Sequence, residues 1–340
     1  MAGEKVTSMD VARRAGVSQS AVSRVFTPGA SASPKTVAKV RKAADELGYR
    51  PNVLARGLIT GKTRMIGLVV AYLDNQFYPV ALELLSKALQ ERGYHVLMFM
   101  AGNATEDISH IVDELLDYQV DGIVTASVAM TNDLTARCDT AGIPVLMFNR
   151  GQDDPRLSEV TTDNFAGGRQ VARFLLAGGH ARIAHIAGWQ GSSTGRDRAA
   201  GFLAGLADAG REAHAVVDGM YHRDAAMDAA RQLFDRPDRP DAVFVGNDHM
   251  AFAVMDVLCH ELGLSIPGDV SVVGYDDVPL AAWPAYDLTT VRQPVRRMVA
   301  ETVDRLLARI ETGDTAPAKI RIPGTLMLRG SARIPQGWTQ

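Results

Sequence analysis

The chain has 340 residues, 46% of them hydrophobic and 22% charged, with a formal charge of −3. That balance excludes a disordered chain, and the length exceeds what one ordinary core fills, so two or three domains are expected. The longest apolar runs, such as the one from Met65 to Ala71, are far too short to span a bilayer.

The charge is unevenly spread. Residues 1–64 carry twelve Lys/Arg against four Asp/Glu, net +8, whereas the remainder carries 24 against 35, net −11. A basic head on an acidic body suits a phosphate-binding module joined to a soluble sensor. Cys138 and Cys259 stand far apart without a C-x-x-C pattern, and Met1 to Lys5 lead into the head with no apolar signal segment. A reducing cytoplasm is therefore the expected location.

In the head, Thr7 can cap a first helix, with Asp10 at its third position and Val11, Ala12 and Ala15 on the buried face. Gly16 supplies a left-handed residue for a sharp turn. Ser18 then caps a second helix, Gln19 to Val25, with Val22 and Val25 inward and Gln19, Ser20, Ser23 and Arg24 outward. Ser33-Pro34 opens a third helix that buries Val37, Val40, Ala44 and Leu47 and stops at Gly48. A basic peptide through Arg50-Pro51-Asn52 to Arg56-Gly57-Leu58 follows. This is helix-turn-helix geometry, with a short polar second helix free to enter a major groove.

The body alternates strand and helix. Strands are expected at Ile66–Tyr72, His95–Met100, Gly122–Ser127 and Pro144–Phe148. Between them lie helices Phe77–Arg92 (Val80, Leu84, Leu85 and Leu89 inward), Glu106–Tyr118 and Asp133–Ala141. A second cycle begins near Val160. Its helices are Phe165–Ala177, Arg196–Ala209, Asp224–Phe234 and Met250–Leu262, and its strands Arg182–Ala187, Ala215–Val217, Ala242–Val245 and Val270–Gly274. Apolar strands separated by helices imply two parallel sheets covered on both faces. Ligands of such sheets bind beyond the carboxyl ends of the strands, so a cleft between two lobes is a natural clamp.

The residues also carry a resemblance. Val6-Thr7-x-x-Asp10-Val11-Ala12-x-x-Ala15-Gly16-Val17-Ser18-x-x-x-Val22-Ser23-Arg24-Val25, then Leu47-Gly48-Tyr49-x-Pro51-Asn52 and Ala55-Arg56-x-Leu58, resembles the head of the lac-repressor (LacI/GalR) family. In the body, Asp163-Asn164-x-x-Gly167, Arg198-x-x-Gly201-Phe202, Asn247-Asp248-x-x-Ala251, the run Pro267-x-Asp269 to Asp276-Asp277 and Leu288-Thr289-Thr290-Val291-x-Gln293-Pro294 resemble its effector-binding core. The resemblance implies a multi-domain chain. An all-α helix-turn-helix domain would occupy residues 1–50 and a hinge helix 51–63. An α/β periplasmic-binding-protein-like effector and dimerisation domain would occupy 64–340. Its first lobe would cover about 64–161 and 292–322, its second about 162–291 and 323–340. A tail helix, Val295 to Ile310, would return to the first lobe, and a strand near Thr325–Arg329 to the second.

What the resemblance implies for function is a ligand-responsive transcriptional regulator, a repressor of carbohydrate or related catabolic genes, that binds a palindromic operator as a homodimer. A purine-type corepressor system is the alternative, and a sugar-transport protein a more distant one. Gln19 and Ser20 would touch base edges, while Ser18, Ser23 and Arg24, with Thr7, hold the backbone, a guanine being the alternative partner for Arg24. Asn52, Ala55, Arg56 and Leu58 would form the hinge, Leu58 wedging into the minor groove. In the cleft, Asp276 would accept ligand hydroxyls, Arg198 donate in a planar fork, Asn247 add an amide and Tyr221 a stacking wall. Arg150 would donate from between the lobes, and Asp74, Phe77 and Tyr78 would face the cleft from the first. Asp277 reads as a structural cap. These groups suit a sugar or sugar acid.

Two residues depart from the family pattern. Ala21 replaces a usual threonine in the recognition helix, and Gln76 replaces the proline of Asn75-x-Phe77. The end at Gln340 shows no leucine heptad, so no tetramerising extension is expected.

Catalytic motifs fail. Gly191-Ser192-Ser193-Thr194-Gly195 matches a nucleophile elbow, yet Gly188-Trp189-Gln190 separate it from the strand, and no Asp-then-His pair follows. Gly57 to Thr63 is one residue short of a P-loop and precedes a strand instead of following one. His180 and His185 lack metal spacing, and neither metal nor cofactor is expected.

Overall fold

The computed structural model describes residues 6–27, 30–50, 62–102, 107–314 and 316–338. The expected hinge residues Asn52, Ala55, Arg56 and Leu58 lie outside the described residues. The chain falls into two compact units, Met1–Arg64 and Met65–Gln340.

The head holds three helices, α1 (Ser8–Ala15), α2 (Gln19–Phe26) and α3 (Pro34–Leu47). Thr7 and Asp10 form a reciprocal capping box: the Asp10 amide donates to Thr7 Oγ1 at 3.4 Å, and the Thr7 amide to Asp10 Oδ2 at 3.0 Å. Gly16 (φ 66°) and Gly48 (φ 65°) end α1 and α3 in the left-handed region. Val11, Ala12, Val22, Val40, Ala43 and Ala44 fill a small core.

In the body, the first sheet runs β1 (Met65–Val70), β2 (His95–Met100), β3 (Gly122–Ala126), β4 (Val145–Phe148), β5 (Ser158–Thr162) and β11 (Lys319–Ile322), in spatial order β11-β5-β4-β3-β1-β2 and parallel throughout. The second contains β6 (Ile183–Ala187), β7 (Ala215–Asp218), β8 (Ala242–Val245), β9 (Ser271–Asp276), β10 (Thr289–Arg292) and β12 (Thr325–Met327). Its order is β12-β10-β9-β8-β6-β7, with only β12 antiparallel. The central strands β1, β3, β6, β8 and β9 are buried along their whole length, as two helix-covered faces require, while the edge strands β2 and β7 are partly exposed, β7 at alternate positions.

The crossovers are helices α4 (Phe77–Glu91), α5 (Ser109–Asp117), α6 (Asn132–Thr140), α7 (Asn164–Ala177), α8 (Ser193–Ala207), α9 (Arg223–Phe234) and α10 (Asp248–Asp256). The last, α11 (Val295–Thr312), packs against α4, β4 and β5, so the tail returns to the first lobe, and β12 joins the second sheet.

Four details differ from the sequence reading. The strand at Val160 closes the first cycle: β5 pairs with β4 and β11 in the first sheet. Strands β10 and β11 were not expected, because Thr289–Arg292 and Lys319–Ile322 are short and lack a continuous apolar run. The buried face of α4 is Phe77, Tyr78, Ala81, Leu82, Leu85 and Leu89, leaving Val80 and Leu84 half-buried. Helix α10 starts at Asp248, capped by Asn247, and passes into a π-helical turn over Val257–Glu261, where a single α-helix to Leu262 was expected.

Helices α7 and α8 approach closely enough to need glycine at the contact. A Cβ on Gly201 would sit 2.0 Å from the Phe165 carbonyl oxygen, and one on Gly168 2.2 Å from the Arg198 carbonyl oxygen. Their backbones touch, and this fixes where the first turns of α8 point.

His185 on β6 is fully buried, its ring stacked on Phe244 at 4.6 Å and its Nδ1 within 2.9 Å of the Phe244 carbonyl. Burial depresses its pKa to about 4. The folded state therefore refuses a proton that the unfolded chain accepts below about 6.5, and stability is lost as pH falls from 6.5 towards 4. From a shift of that size the loss is about 3 kcal/mol. Urea midpoints of wild type and His185→Phe should diverge in that window, wild type falling faster. Parallel curves would mean that the imidazole protonates in place.

Candidate ligand cleft and nucleic-acid interface

On the head, α2 presents Gln19, Ser20, Ser23 and Arg24 to solvent. Ser18 Oγ accepts from the Ala21 amide (3.2 Å) and lies 2.9 Å from Ser20 Oγ, so Ser18 works as the cap. Gln19 Nε2 donates to Ser8 Oγ (3.0 Å), holding the amide across the helix-turn-helix corner. Arg24 Nε reaches the Ser20 carbonyl at 3.4 Å, which leaves the guanidinium tip outward. A short polar helix with one cation, capped at its N-terminus, is the form that enters a major groove.

In the body, backbone strain gathers at one place. Ser127 (φ 65°), Asn149 (φ 69°), Tyr221 (φ 60°), Asp276 (φ 128°) and Asp277 (φ 56°) all have positive φ without being glycine. They sit at or just beyond the carboxyl ends of β3, β4, β7 and β9, where the two sheets face each other. Left-handed non-glycine residues cost roughly 1–3 kcal/mol each and persist where the surroundings hold them for a purpose.

The centre of this cleft is an ion pair. Arg198 Nη2 lies 3.4 Å from Asp276 Oδ1, with both side chains almost completely buried. Arg198 Nη1 donates to the Gly246 carbonyl (2.6 Å) and Nε to Asn164 Oδ1 (2.9 Å), and the guanidinium carbon sits over Tyr275, 3.7 Å from the ring centre. Asp276 also accepts from Gln293 Nε2 (2.7 Å) and, across the cleft, from Asn75 Nδ2 (3.2 Å). Burial raises the Asp276 pKa against the pull of Arg198, and burial together with Asp276 pushes neighbouring Asp248 up to about 7. Asp248 accepts from Thr290 Oγ1 and the Val278 amide, tying β10 to α10.

The first lobe contributes a second guanidinium. Arg150, buried just beyond β4, donates to the Ser127 carbonyl (3.1 Å) and to the Tyr72 hydroxyl (2.9 Å). It faces the rings of Tyr221 (5.7 Å) and Trp189 (6.0 Å) from the second lobe. Its buried Nε has no partner. Among the described residues no carboxylate pairs with it. The penalty for burying a charge is several kcal/mol. Two aromatic faces return only about 0.5–2 kcal/mol each.

The remaining expected residues divide. Tyr78 is buried, its hydroxyl accepting from Asn149 Nδ2 (3.0 Å) and from Ser127. Phe77 stacks on Phe148 at 6.2 Å and belongs to the core. Asp74 is exposed, 3.8 Å from His249 of the other lobe. Tyr221 lies over Gly188, where any Cβ would strike its ring, and donates to Thr194 Oγ1 (3.2 Å). Asn247 spends its Oδ1 on the Met250 amide (2.9 Å), so only its Nδ2 is left to face the cleft. Asp277 is no cap. It is clamped between Arg292 (2.5 Å) and Arg329 (2.6 Å), fastening β9 to its neighbours.

Asn75, Gln293, Asn164, Asp248, Tyr72 and Trp189 join the cleft without having been singled out. Asn75, Asn164, Asp248 and Gln293 stood inside quoted motifs, but no spacing argument tells an amide or carboxylate in a site from one in a turn or a cap. Ser193 Oγ accepts from the Gly151 amide across the cleft (2.9 Å) and borders a cavity of about 500 Å³ with Asp197, Arg196, Lys319 and Arg321.

Comparison with known proteins follows the two units. Residues 7–52 match the family model described as bacterial regulatory proteins, lacI family, and residues 63–330 that of periplasmic binding proteins and sugar binding domain of LacI family. The ribose operon repressor of Escherichia coli (strain K12) is 32% identical over 331 residues, covering 96% of this chain and 99% of that protein. A crystal structure of the lac repressor dimer bound to operator and the anti-inducer ONPF superposes with a TM-score of 0.87 at 28% identity, covering 96% of this chain and 99% of that one. The transcriptional regulator CelR in complex with cellobiose gives 0.73 at 33% identity, covering 96% and 100%. With its helix-turn-helix head and ligand cleft accounted for by both models, the chain belongs to the LacI family and is a ligand-binding transcriptional regulator.

Proposed function

We propose that the protein represses carbohydrate-related genes as a homodimer on a near-palindromic operator, and that a polyhydroxylated effector in the cleft sets its affinity for DNA. The buried Arg198–Asp276 pair carries this reading. It places a planar donor fork and a carboxylate acceptor together between two lobes, which is what vicinal hydroxyls bind. Asn75 and Gln293 occupy the Asp276 oxygens in the chain itself, so a ligand hydroxyl takes the place of an amide that is already donating there.

Each head reads one half-site. Gln19 and Ser20 contact base edges, Thr7, Ser18, Ser23 and Arg24 hold the phosphates, and Asn52, Ala55, Arg56 and Leu58 are the hinge contacts to the operator. Effector binding shifts one lobe against the other and so changes how the paired hinges meet the DNA. No turnover of esters or glycosides is expected, because Ser193 is engaged by a backbone amide and serves lobe contact.

Operator selection from a random duplex pool tests the reading. An inverted repeat should emerge, and log K should fall steeply with log salt because the head carries net +8. Gln19→Ala should relax base preference at one position per half-site while leaving the salt slope unchanged. A pool that enriches no sequence would defeat the proposal.

A further inference from the structure

Arg150 poses a problem that the rest of the cleft does not. Arg198 has Asp276, and Arg292 and Arg329 share Asp277. Arg150 is just as deeply placed, yet its donors meet only a carbonyl, a tyrosine hydroxyl and two aromatic faces, and Nε meets nothing. Asp248 sits in the second lobe, bonded to Thr290 and Val278, and does not reach Arg150. The residues around Arg150 come from both lobes: Tyr72 and Ser127 from the first, Trp189 and Tyr221 from the second. A cation so situated is held in place, dried and left one counter-charge short.

We infer that the effector is an anionic carbohydrate, whose carboxylate or phosphate is received by Arg150 while its hydroxyls meet Asp276 and Arg198. The inference rests on the cleft being the effector site. Cation–π contact with Tyr221 and Trp189 pre-sets the guanidinium plane. The orphan Nε–H and the outer Nη–H then offer the parallel pair of donors that a carboxylate or phosphate accepts. A neutral sugar leaves the charge uncompensated. An acid removes that penalty on binding, so the charge selects among otherwise similar sugars.

The test uses matched pairs on the full-length protein: galactose against galacturonate, glucose against glucuronate, and glucose against glucose 6-phosphate. Affinities are read by calorimetry and by thermal shift in wild type, Arg150→Gln and Arg150→Lys. The basic head also attracts anions, so the difference between wild type and Arg150→Gln is the reading, with inorganic phosphate and acetate as simple probes. At least one acid or phosphate ester should bind roughly tenfold or more tightly than its neutral partner. That preference should vanish in Arg150→Gln and return in part in Arg150→Lys. Whether uronates or the phosphate ester show it separates the two anion classes. A panel in which every neutral sugar binds as tightly as its acid or phosphate ester would overturn the inference. So would an anion preference that survives Arg150→Gln, or a panel in which no anion, simple probes included, tells wild type from Arg150→Gln. If the preference holds but operator affinity ignores the bound anion, the anion site stands and the regulatory reading of the cleft fails.

Discussion

Arg198→Ala should lose about 3–5 kcal/mol of stability and all response to ligand. Four interactions go at once: the ion pair to Asp276, the bonds to the Gly246 carbonyl and to Asn164, and the cation–π contact with Tyr275. The larger part of the cost is what remains. Asp276 is left buried beside Asp248 with no cation, held only by the amides of Asn75 and Gln293. Its carboxyl answers by rising further above the ordinary range, because Arg198 was the group holding it down. A raised folded-state pKa gives stability below the unfolded value that is lost as pH rises. The penalty should therefore be smallest near pH 4 and grow towards pH 8, a trend that urea titration at several pH values would reveal. Arg198→Lys should recover little, since an ammonium cannot donate in a fork. A penalty independent of pH would mean that Asp276 is already neutral in the wild-type protein.

The second large effect concerns the glycine contact beneath this site. Gly201→Ala puts a methyl 2.0 Å from the Phe165 carbonyl oxygen, a backbone atom with no rotamer to change. Helices α7 and α8 must separate, at a cost of about 3 kcal/mol or more. Because Arg198 lies one turn before Gly201 and Asn164 opens α7, their 2.9 Å hydrogen bond should stretch as well. Both denaturant midpoint and ligand affinity should fall. Gly205→Ala meets the Ala172 methyl at 2.7 Å and the Arg169 carbonyl oxygen at 2.9 Å, and should be milder. Equal losses at the two positions would mean that the depth of the backbone overlap does not set the cost, since the helix propensity gained on Gly→Ala favours both variants alike.

Much of this arrangement was legible in the residues. The head was, because capping residues and left-handed glycines are local signals: Thr7, Ser18 and Ser33 cap, and Gly16 and Gly48 stop, as their chemistry dictates. The central strands were legible too, since a parallel sheet buried on both faces leaves a continuous apolar run. Strands β10 and β11 were not. Lys319–Ile322 owes its existence to pairing with β5, some 160 residues earlier, which no local pattern encodes. In the cleft, the charged residues were readable and their partners were not. Asp277 looked like a cap from its position after a strand, but Arg292 and Arg329 come to it from distant elements. Asn75 reaches Asp276 across 201 positions of sequence. The charge imbalance at Arg150 exists only once the fold has decided which carboxylates stay away.

The central claim is that occupancy of the cleft and affinity for DNA are linked. Operator affinity should be titrated by fluorescence anisotropy, at fixed salt, without and with saturating ligand from the carbohydrate panel, in wild type and in Asp276→Asn. The predicted result is a change of about five- to 150-fold in wild-type operator affinity and none in the variant, which should still bind the operator. An operator affinity unmoved by a ligand that demonstrably fills the cleft would contradict the account.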